Sequence, residues 1–395
     1  MSNSRDLNRA RVFEIIHLFE PVSRAEVAKH VGLSSPAISY IVAELLELGF
    51  IEELGRRSSA RGQPAIELGV AANSAHTLGL HFSHDNLRGV VVDLKGNVIS
   101  DTCYGLPQSP SPALVLDTLI RVGTELKQAV TDKILVGVGL ASVGPVNLID
   151  GCVTRTPFNS DWHNVSLRQP LAEALKLPVC MDNNATAAAI GEYWYGVGRD
   201  YDNFLHISFL GNGLGGGLFL NRRVYRGAGL NAAEFGHMLI QPEKAIPHIK
   251  PFLENYVSGY ALLRDLGPRI IEEIPARLAA ADPALMAWLD TAGSLFAKSL
   301  VSVDHMLDID AAIVGGELPE TLLTELLERV STQMHEYYMP GWSQCLSVRQ
   351  SPNCSDTAVL GAATLPIYDV FALSASDRGA GNSLFKSTVE GSHMP

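Results

Sequence analysis

The chain has 395 residues, with 47% hydrophobic and 18% charged residues, a composition typical of a globular protein of two or three domains. No apolar stretch is long enough for a membrane helix, because the most apolar one, from Ile134 to Ile149, contains three glycines and Pro145. The first eleven residues are polar and lack the apolar segment of a signal peptide, so we expect a cytoplasmic protein. The five cysteines are scattered, which argues against disulfides and cysteine-rich metal knuckles.

The charge of the chain is unevenly distributed. The net charge is -12, yet residues 1–70 hold eight basic and nine acidic residues, so the acidity lies almost entirely in the rest of the chain. Arg56, Arg57 and Arg61 form a short cluster free of acidic residues. Such a cluster suits contact with phosphate groups, so the overall acidity does not exclude nucleic acid as a partner.

Two helices are predicted at the start of the chain. Apolar residues recur at helical spacing from Leu7 to Phe19, which predicts a helix that ends before Pro21. Ser23 and Glu26 have the spacing of a capping box, which predicts a second helix that Gly32 ends.

A third helix is predicted directly afterwards. Ser34 or Ser35 caps it, Pro36 lies in its first turn and Gly49 ends it. Two short helices joined by a tight turn form a helix-turn-helix, in which the second helix enters the major groove of DNA. The residues expected nearest the bases are Ser35, Ala37, Ser39 and Tyr40.

Two short apolar runs, 50–54 and 65–68, flank a basic loop and predict a two-stranded wing. The wing residues expected on the DNA backbone or in the minor groove are Arg56, Arg57, Arg61 and Gln63. Residues 1–72 are therefore predicted to form a winged helix-turn-helix DNA-binding domain. A module that docks on another protein is the alternative, and the basic wing weighs against it.

The remainder of the chain predicts two α/β lobes. The first is expected to contain strands at 77–82, 89–94, 98–104, 134–141 and 178–181, with helices at 112–130 and 184–195. The second is expected to contain strands at 204–209, 216–220 and 311–314, with several helices. Two such lobes commonly bind a ligand in the cleft between them.

Four motifs lie in this region. They are the glycine-rich run from Gly211 to Gly217, Glu234-Phe235-Gly236-His237, Leu253-Glu254 followed by Ser258-Gly259, and Asp182-Asn183-Asn184-Ala185. Together they resemble the motifs of the ROK family (repressors, open reading frames and kinases), and the resemblance spans essentially the whole chain.

The resemblance implies an α/β protein in which the winged helix-turn-helix precedes an actin-like, two-lobed (ribonuclease H-like) ROK domain that binds sugars or amino sugars. We expect this domain at 73–390, with lobe one at about 73–198 plus a C-terminal helix at about 355–375. Lobe two is then expected at about 199–354.

Two departures from the family pattern argue against kinase activity. Phosphoryl transfer needs a carboxylate to accept the hydroxyl proton, and Asn184 stands where the family's kinases have that acid. The first phosphate loop of the family aligns with residues 81–85, which contain no glycine and end in Asp85. ATP is therefore not expected to fit, and no enzyme activity is expected.

The zinc site of the family also lacks its ligands. The resemblance implies a zinc ion held by His237 and three cysteines, but no cysteine lies between His237 and Glu254, and Phe252 takes the place of the last one. His237 and His248 alone would make an incomplete site. We expect neither a metal nor another cofactor, and an apolar substitute for zinc.

The remaining polar residues of these motifs are suited to binding a polyol. By the resemblance, Asn183, Glu234, His237 and Glu254 supply donors and acceptors for adjacent hydroxyl groups, with Asn184 and Asn159 as weaker candidates. Plainer alternatives remain open, because Glu234 and Asn183 could cap helices and His237 could lie in the core. The glycine-rich run is expected to persist as a tight turn between the lobes.

These features predict a sugar-responsive transcriptional regulator, most simply a repressor, that binds a palindromic operator as a homodimer or a dimer of dimers without membrane association. Asn183 from one lobe, and Glu234, His237 and Glu254 from the other, are expected to close on the sugar and thereby change DNA affinity. Two alternatives remain, a sugar kinase that also binds DNA and a co-regulator that binds another protein.

Overall fold

The computed structural model describes residues 4–57, 65–156, 161–210, 213–243, 245–341, 345–352 and 357–371. The chain divides into two compact units, one made of Met1–Asp182 with Val359–Pro395 and the other of Asn183–Ala358. Among the helices that the structure describes, none combines the length and the apolar character needed to cross a membrane.

The N-terminal part of the first unit is a three-helix domain with a small sheet. Its elements are α1 (Ser4–Phe19), β1 (Val22–Ser23), α2 (Arg24–Val31), α3 (Ser35–Glu47), β2 (Ile51–Arg57) and β3 (Ala65–Val70). The strands are ordered β1-β3-β2 and antiparallel, so β2 and β3 form the wing and β1 extends it.

Local hydrogen bonds explain why the helices begin and end where they do. The predicted capping box is confirmed, because the Ser23 hydroxyl accepts from the Glu26 N–H while the Glu26 carboxylate accepts from the Ser23 N–H. Gly32 ends α2 with a φ of 74°, a left-handed conformation that glycine adopts without steric cost. Ile38 and Leu45 of α3 are fully buried and face the other helices.

The first unit continues with a five-stranded sheet. Its elements are β4 (His76–Phe82), β5 (Asn86–Asp93), β6 (Val98–Gly105), α4 (Pro112–Ala129), β7 (Leu135–Ser142), β8 (Val146–Asn147), β9 (Cys152–Arg155), β10 (His163–Ser166), α5 (Arg168–Leu175) and β11 (Val179–Asn183). The sheet order is β11-β7-β4-β5-β6, and β8 to β10 form a separate small sheet.

The second unit is built on another five-stranded sheet. Its elements are α6 (Asn184–Tyr195), β12 (Phe204–Leu210), β13 (Gly213–Leu220), β14 (Arg223–Tyr225), α7 (Gly259–Leu266), α8 (Ile270–Ala279), α9 (Pro283–Leu307), β15 (Ala311–Gly316), α10 (Glu320–Tyr337) and β16 (Ser347–Gln350). The last helix, α11 (Thr357–Phe371), belongs to the first unit from Val359 onwards.

The two large sheets repeat one topology. In each, the first strand pairs antiparallel with the second and parallel with the fourth, as β4 does with β5 and β7 and as β12 does with β13 and β15. The spatial order in both sheets is third, second, first, fourth and fifth strand. This repetition confirms the predicted α/β fold with two lobes of the actin type.

Glycines in the strands let helices approach each sheet closely. A Cβ on Gly139 of β7 would lie 1.7 Å from the carbonyl oxygen of Ala362 in α11. A Cβ on Gly217 of β13 would lie 2.6 Å from the Cβ of Ala189 in α6. Both approaches exclude a side chain, so these glycines are required by packing.

The contact between α6 and β13 explains one difference between the two units and the two lobes predicted from the sequence. Asn183 and α6 group with the second unit because α6 packs on β13, whereas the sequence predicted Asn183 on the lobe opposite Glu234, His237 and Glu254. The glycine-rich run also differs from its prediction, since Gly213 to Gly217 lie in a strand and not in a turn. Gly211 and Asn212 lie outside the described residues.

Candidate ligand site and DNA-binding surface

Three polar side chains of the second unit meet around His237. Its Nδ1 lies 2.9 Å from Glu234 Oε2, and its Nε2 lies 3.2 Å from Glu254 Oε1. The three side chains are 53%, 47% and 27% exposed in the order His237, Glu234 and Glu254, so solvent and ligands reach them. His237 is therefore not a core histidine. An imidazole flanked by two carboxylates presents both donors and acceptors, a combination that suits neighbouring hydroxyl groups.

The turn that carries Glu234 and His237 packs on the core and on β13 of the second unit. Phe235 is 3% exposed and packs edge to face on Phe296 of α9, with ring centroids 5.6 Å apart. Gly236 lies against β13, where a Cβ would be 2.1 Å from the carbonyl oxygen of Leu214. The motif thus places one residue in the core and one against the strand, which leaves Glu234 and His237 at the surface.

Glu234 does not act as a helix cap. It occupies the N-cap position of the short 3-10 helix Phe235–His237, but its side chain makes no capping hydrogen bond. Its carboxylate instead accepts from His237.

Glu254 is fixed by a second short turn. It lies in the 3-10 helix Leu253–Asn255, in which Leu253 is fully buried and donates its N–H to the carbonyl oxygen of Met238 at 3.0 Å. An isolated antiparallel bridge between Leu239 and Phe252 ties the same two segments together. The backbone therefore sets the distance between His237 and Glu254.

Asn183 and Asn184 lie at the N-terminus of α6. Both side-chain oxygens accept from the N–H of Ala185 at 2.9 Å, so the capping role that the sequence left open for Asn183 is observed. Asn184 is 8% exposed. Asn159 lies outside the described residues.

The start of β13 brings α6 near the carboxylate of Glu254. A Cβ on Gly215 would lie 2.7 Å from the Cβ of Ala185, and one on Gly213 would lie 3.5 Å from Glu254 Oε2. Two residues along a strand span about 7 Å. The N-terminus of α6 and Glu254 are thus neighbours along one edge of the second unit.

The segment aligned with the family's first phosphate loop is a tight hairpin between β4 and β5. Asp85 closes it by accepting from the Ser83 hydroxyl at 3.1 Å and from the Asn86 amide at 2.8 Å. Burial lowers the pKa of His81 to about 4, so this histidine is neutral near pH 7. By the alignment expected from the sequence, the Asp85 carboxylate would stand where a phosphate loop presents glycine N–H groups, and it would repel phosphate.

The residues around His237 do not fit a zinc ion. Both ring nitrogens face carboxylates at hydrogen-bonding distances, and the ring packs on Phe252 with centroids 5.4 Å apart. Within the described ranges, no three histidine, cysteine, aspartate or glutamate side chains form a group that could hold a metal ion.

The predicted recognition helix presents a polar face. Ser35, Ser39 and Tyr40 are exposed and Ala37 is half-buried, while Ile38 faces the core. This placement is compatible with base contact by the first two turns of α3.

Arg5 of α1 holds the exposed ring of Tyr40, a contact that sequence reasoning missed. Its guanidinium donates to the Tyr40 hydroxyl at 2.8 Å, lies 5.1 Å from the ring centroid and pairs with Glu44 at 3.2 Å. Its position at the start of a helix far from α3 in sequence gives no local signal of this contact.

The wing arginines differ from one another. Arg56 is exposed, whereas Arg57 pairs with Glu26 of α2 at 2.8 Å and with Glu67 of β3 at 3.0 Å. Arg61 and Gln63 lie outside the described residues.

The fold and the site define a winged helix-turn-helix protein with a duplicated α/β domain of the actin type. The chain belongs to the ROK family, whose profile matches residues 77–368, so the predicted membership is confirmed.

Its similarity extends to regulators and kinases. The xylose repressor of Bacillus subtilis is 28% identical over 66% of this chain and 68% of that protein. The crystal structure of a ROK family transcriptional regulator, a homolog of the E. coli MLC protein, matches 98% of this chain and 100% of that chain with a TM-score of 0.76 and 24% identity. A ROK family glucokinase from Streptomyces griseus matches 73% of this chain and 98% of that chain with a TM-score of 0.63 and 24% identity. The match to the regulator thus covers the fold of the N-terminal domain as well as that of the ROK domain.

Proposed function

We propose that the protein is a sugar-responsive transcriptional repressor that binds operator DNA through residues 1–72 and a sugar through the second unit. The observation that carries the proposal is the exposed His237 between Glu234 and Glu254, in a chain whose catalytic base position is occupied by Asn184. Side chains suited to binding hydroxyl groups meet around His237, while Asn184 carries an amide at the position where a kinase needs a carboxylate to accept the hydroxyl proton. Binding without turnover is the chemistry of a sensor.

The similarity to xylose repressors supports a sugar as the effector. Two such relatives, one of them a putative xylose repressor from Caldicellulosiruptor, are 28% and 30% identical to this chain over about two thirds of its length. D-Xylose and D-glucose are therefore the first sugars to test.

We propose that the protein acts in the cytoplasm as a homodimer or a dimer of dimers on a palindromic operator. A single recognition helix reads too few base pairs for useful specificity, and two helices must match half-sites about 34 Å apart. Asn183, Asn184 and Asn159 are proposed as further ligand contacts. Ser35, Ala37, Ser39, Tyr40, Arg56, Arg57, Arg61 and Gln63 are proposed as DNA contacts.

A DNA titration with and without sugar tests the proposal. The operator duplex is obtained by in vitro selection with the full-length protein, and its affinity is measured with D-xylose, with D-glucose and without sugar. We expect one sugar to change DNA affinity by a factor of about 5 to 150, the usual range of allosteric coupling.

Two variants make this test specific to the proposed site. Glu254→Ala should abolish the response while leaving sugar-free DNA binding nearly intact. Glu243→Ala removes an exposed carboxylate outside the cluster around His237 and should respond like the wild type. A full response by Glu254→Ala would show that the proposed site is wrong.

A sugar kinase that also binds DNA is the second candidate, because a glucokinase from Streptomyces coelicolor is 33% identical over 48% of this chain. ADP formation from ATP with D-glucose distinguishes the two. The replaced base and the acidic hairpin at Asp85 favour the repressor.

A further inference from the structure

The orientation of the His237 ring depends on more than its two carboxylate partners. Glu234 Oε2 lies 2.9 Å from Nδ1 of the ring, and Glu254 Oε1 lies 3.2 Å from Nε2. The side chain is 53% exposed, so solvent competes with both contacts and weakens their hold on the ring.

Phe252 supplies a further restraint on the ring. Its ring meets the His237 ring edge to face, with centroids 5.4 Å apart and an interplanar angle of 66°. This geometry is the preferred one for aromatic pairs, and it limits rotation of the imidazole.

Phe252 itself lies on a fixed segment of backbone. It is paired with Leu239 in the antiparallel bridge, and the flanking bond from the Ile240 N–H to the Pro251 oxygen is 2.9 Å long. The ammonium of Lys250 lies 5.7 Å from the Phe252 ring. The next residue, Leu253, is fully buried in the core of the second unit.

We propose that Phe252 is a positioning residue that fixes the orientation of His237 by ring packing, in place of a metal ion. The disagreement with the family's zinc site supports this, because an aromatic ring stands where a cysteine is expected and contacts the same histidine. The consequence for sugar affinity rests on the proposed function, whereas the consequence for the histidine ring does not.

Nuclear magnetic resonance of histidine side chains tests the positioning directly. The full-length protein is labelled with carbon-13 at histidine Cε1, and the His237 signal is assigned by its loss in His237→Gln. Phe252→Leu and Phe252→Met remove the ring but keep an apolar side chain, Phe252→Tyr keeps the ring, and Tyr225→Leu removes an exposed ring elsewhere in the same unit.

We expect both ringless variants to shift the His237 signal, because the ring current and the restraint are lost. Phe252→Tyr and Tyr225→Leu should leave it near its wild-type position. An unchanged His237 signal in both ringless variants would overturn the proposal, as would a signal in Phe252→Tyr displaced as far as in Phe252→Leu. If one ringless variant fails to fold, the other decides.

Isothermal titration with D-xylose and D-glucose measures the consequence for binding. Loss of the aromatic contact should weaken the affinity for sugar about three- to tenfold in the ringless variants. Phe252→Tyr keeps the ring and should bind sugar as the wild type does. Equal affinities in all variants would contradict a role in ligand binding. If the wild type binds neither sugar, that result counts against these sugars as effectors, and the resonance experiment still decides the positioning.

Discussion

The carboxylate of Glu20 and the ammonium of Lys95 form an ion pair of 3.1 Å that joins the winged domain to the first five-stranded sheet. The other oxygen of Glu20 accepts from the N–H of Val70 at the end of the wing. Close by, the Leu94 N–H donates to the carbonyl oxygen of Ala72 at 3.1 Å. Hydrogen bonds and an ion pair thus join the end of the wing and the segment after it, at Ala72, to the turn between β5 and β6 within the first unit.

The two oxygens of Glu20 should contribute unequally to stability. Lys95→Ala removes only a partly exposed ion pair, and we expect the free energy of unfolding to fall by less than about 1 kcal/mol. Glu20→Ala also leaves the Val70 N–H without its acceptor and should cost about 1 to 3 kcal/mol. Thermal unfolding of both variants at low and high salt measures this difference. Equal losses would show that the bond to Val70 contributes nothing.

The two described wing arginines should differ in their effect on DNA binding. Arg56→Ala should lower affinity across sequences and reduce the slope of log affinity against log salt by about 1, because one phosphate contact is lost. Arg57→Ala should reduce the slope less, since Glu26 and Glu67 already neutralise its guanidinium. Arg269→Ala, a change far from the wing in sequence, serves as the control. Identical slopes for Arg56→Ala and wild type would remove Arg56 from the contact set.

Restoring the acid of the family motif should not restore phosphoryl transfer. Asn184→Asp supplies a carboxylate, but Asp85 still closes the hairpin that replaces the first phosphate loop. We therefore expect no ADP formation above background with ATP and D-glucose in either the wild type or this variant. Sugar-dependent turnover in Asn184→Asp alone would show that the hairpin admits ATP.

Zinc should be absent from the purified protein, and chelators should leave its melting temperature unchanged, because cysteine ligands are missing near His237 and both ring nitrogens face carboxylates. Elemental analysis alongside thermal unfolding with and without a chelator measures both quantities. Stoichiometric zinc would contradict the expectation.

The buried carboxylate of Glu192 should make stability depend on pH. Burial raises its pKa above the ordinary value of 4.5, against opposing hydrogen bonds from the Ser351 hydroxyl and the Val197 N–H. The folded state therefore holds this proton more tightly than the unfolded state does. Its stabilising effect is complete below pH 4.5 and is lost as the pH rises through the folded pKa.

Glu192→Gln removes this titration while keeping a hydrogen-bonding side chain. We expect the melting temperature of the wild type to fall relative to that of Glu192→Gln as the pH rises from 4.5 towards 8. Parallel curves over this range would show that Glu192 ionises alike in both states.

Sequence patterns among neighbouring residues predicted much of the secondary structure of this protein. The capping box at Ser23 and Glu26 joins residues three positions apart, so the sequence alone predicted where α2 begins. Short apolar runs likewise predicted the wing, strand signals predicted most strands of the two sheets, and the four motifs together predicted the family.

Tertiary structure decided what depends on residues distant in the chain. The pairing of Arg57 with Glu26, the contact between Arg5 and Tyr40, and the grouping of Asn183 with the second unit all require the path of the backbone. The glycine-rich run is the clearest case, because its composition suits a turn as well as a strand beneath a helix. Pairing with β12 makes the run a strand, and the packing of α6 requires glycine in it, since a side chain at Gly217 would collide with Ala189.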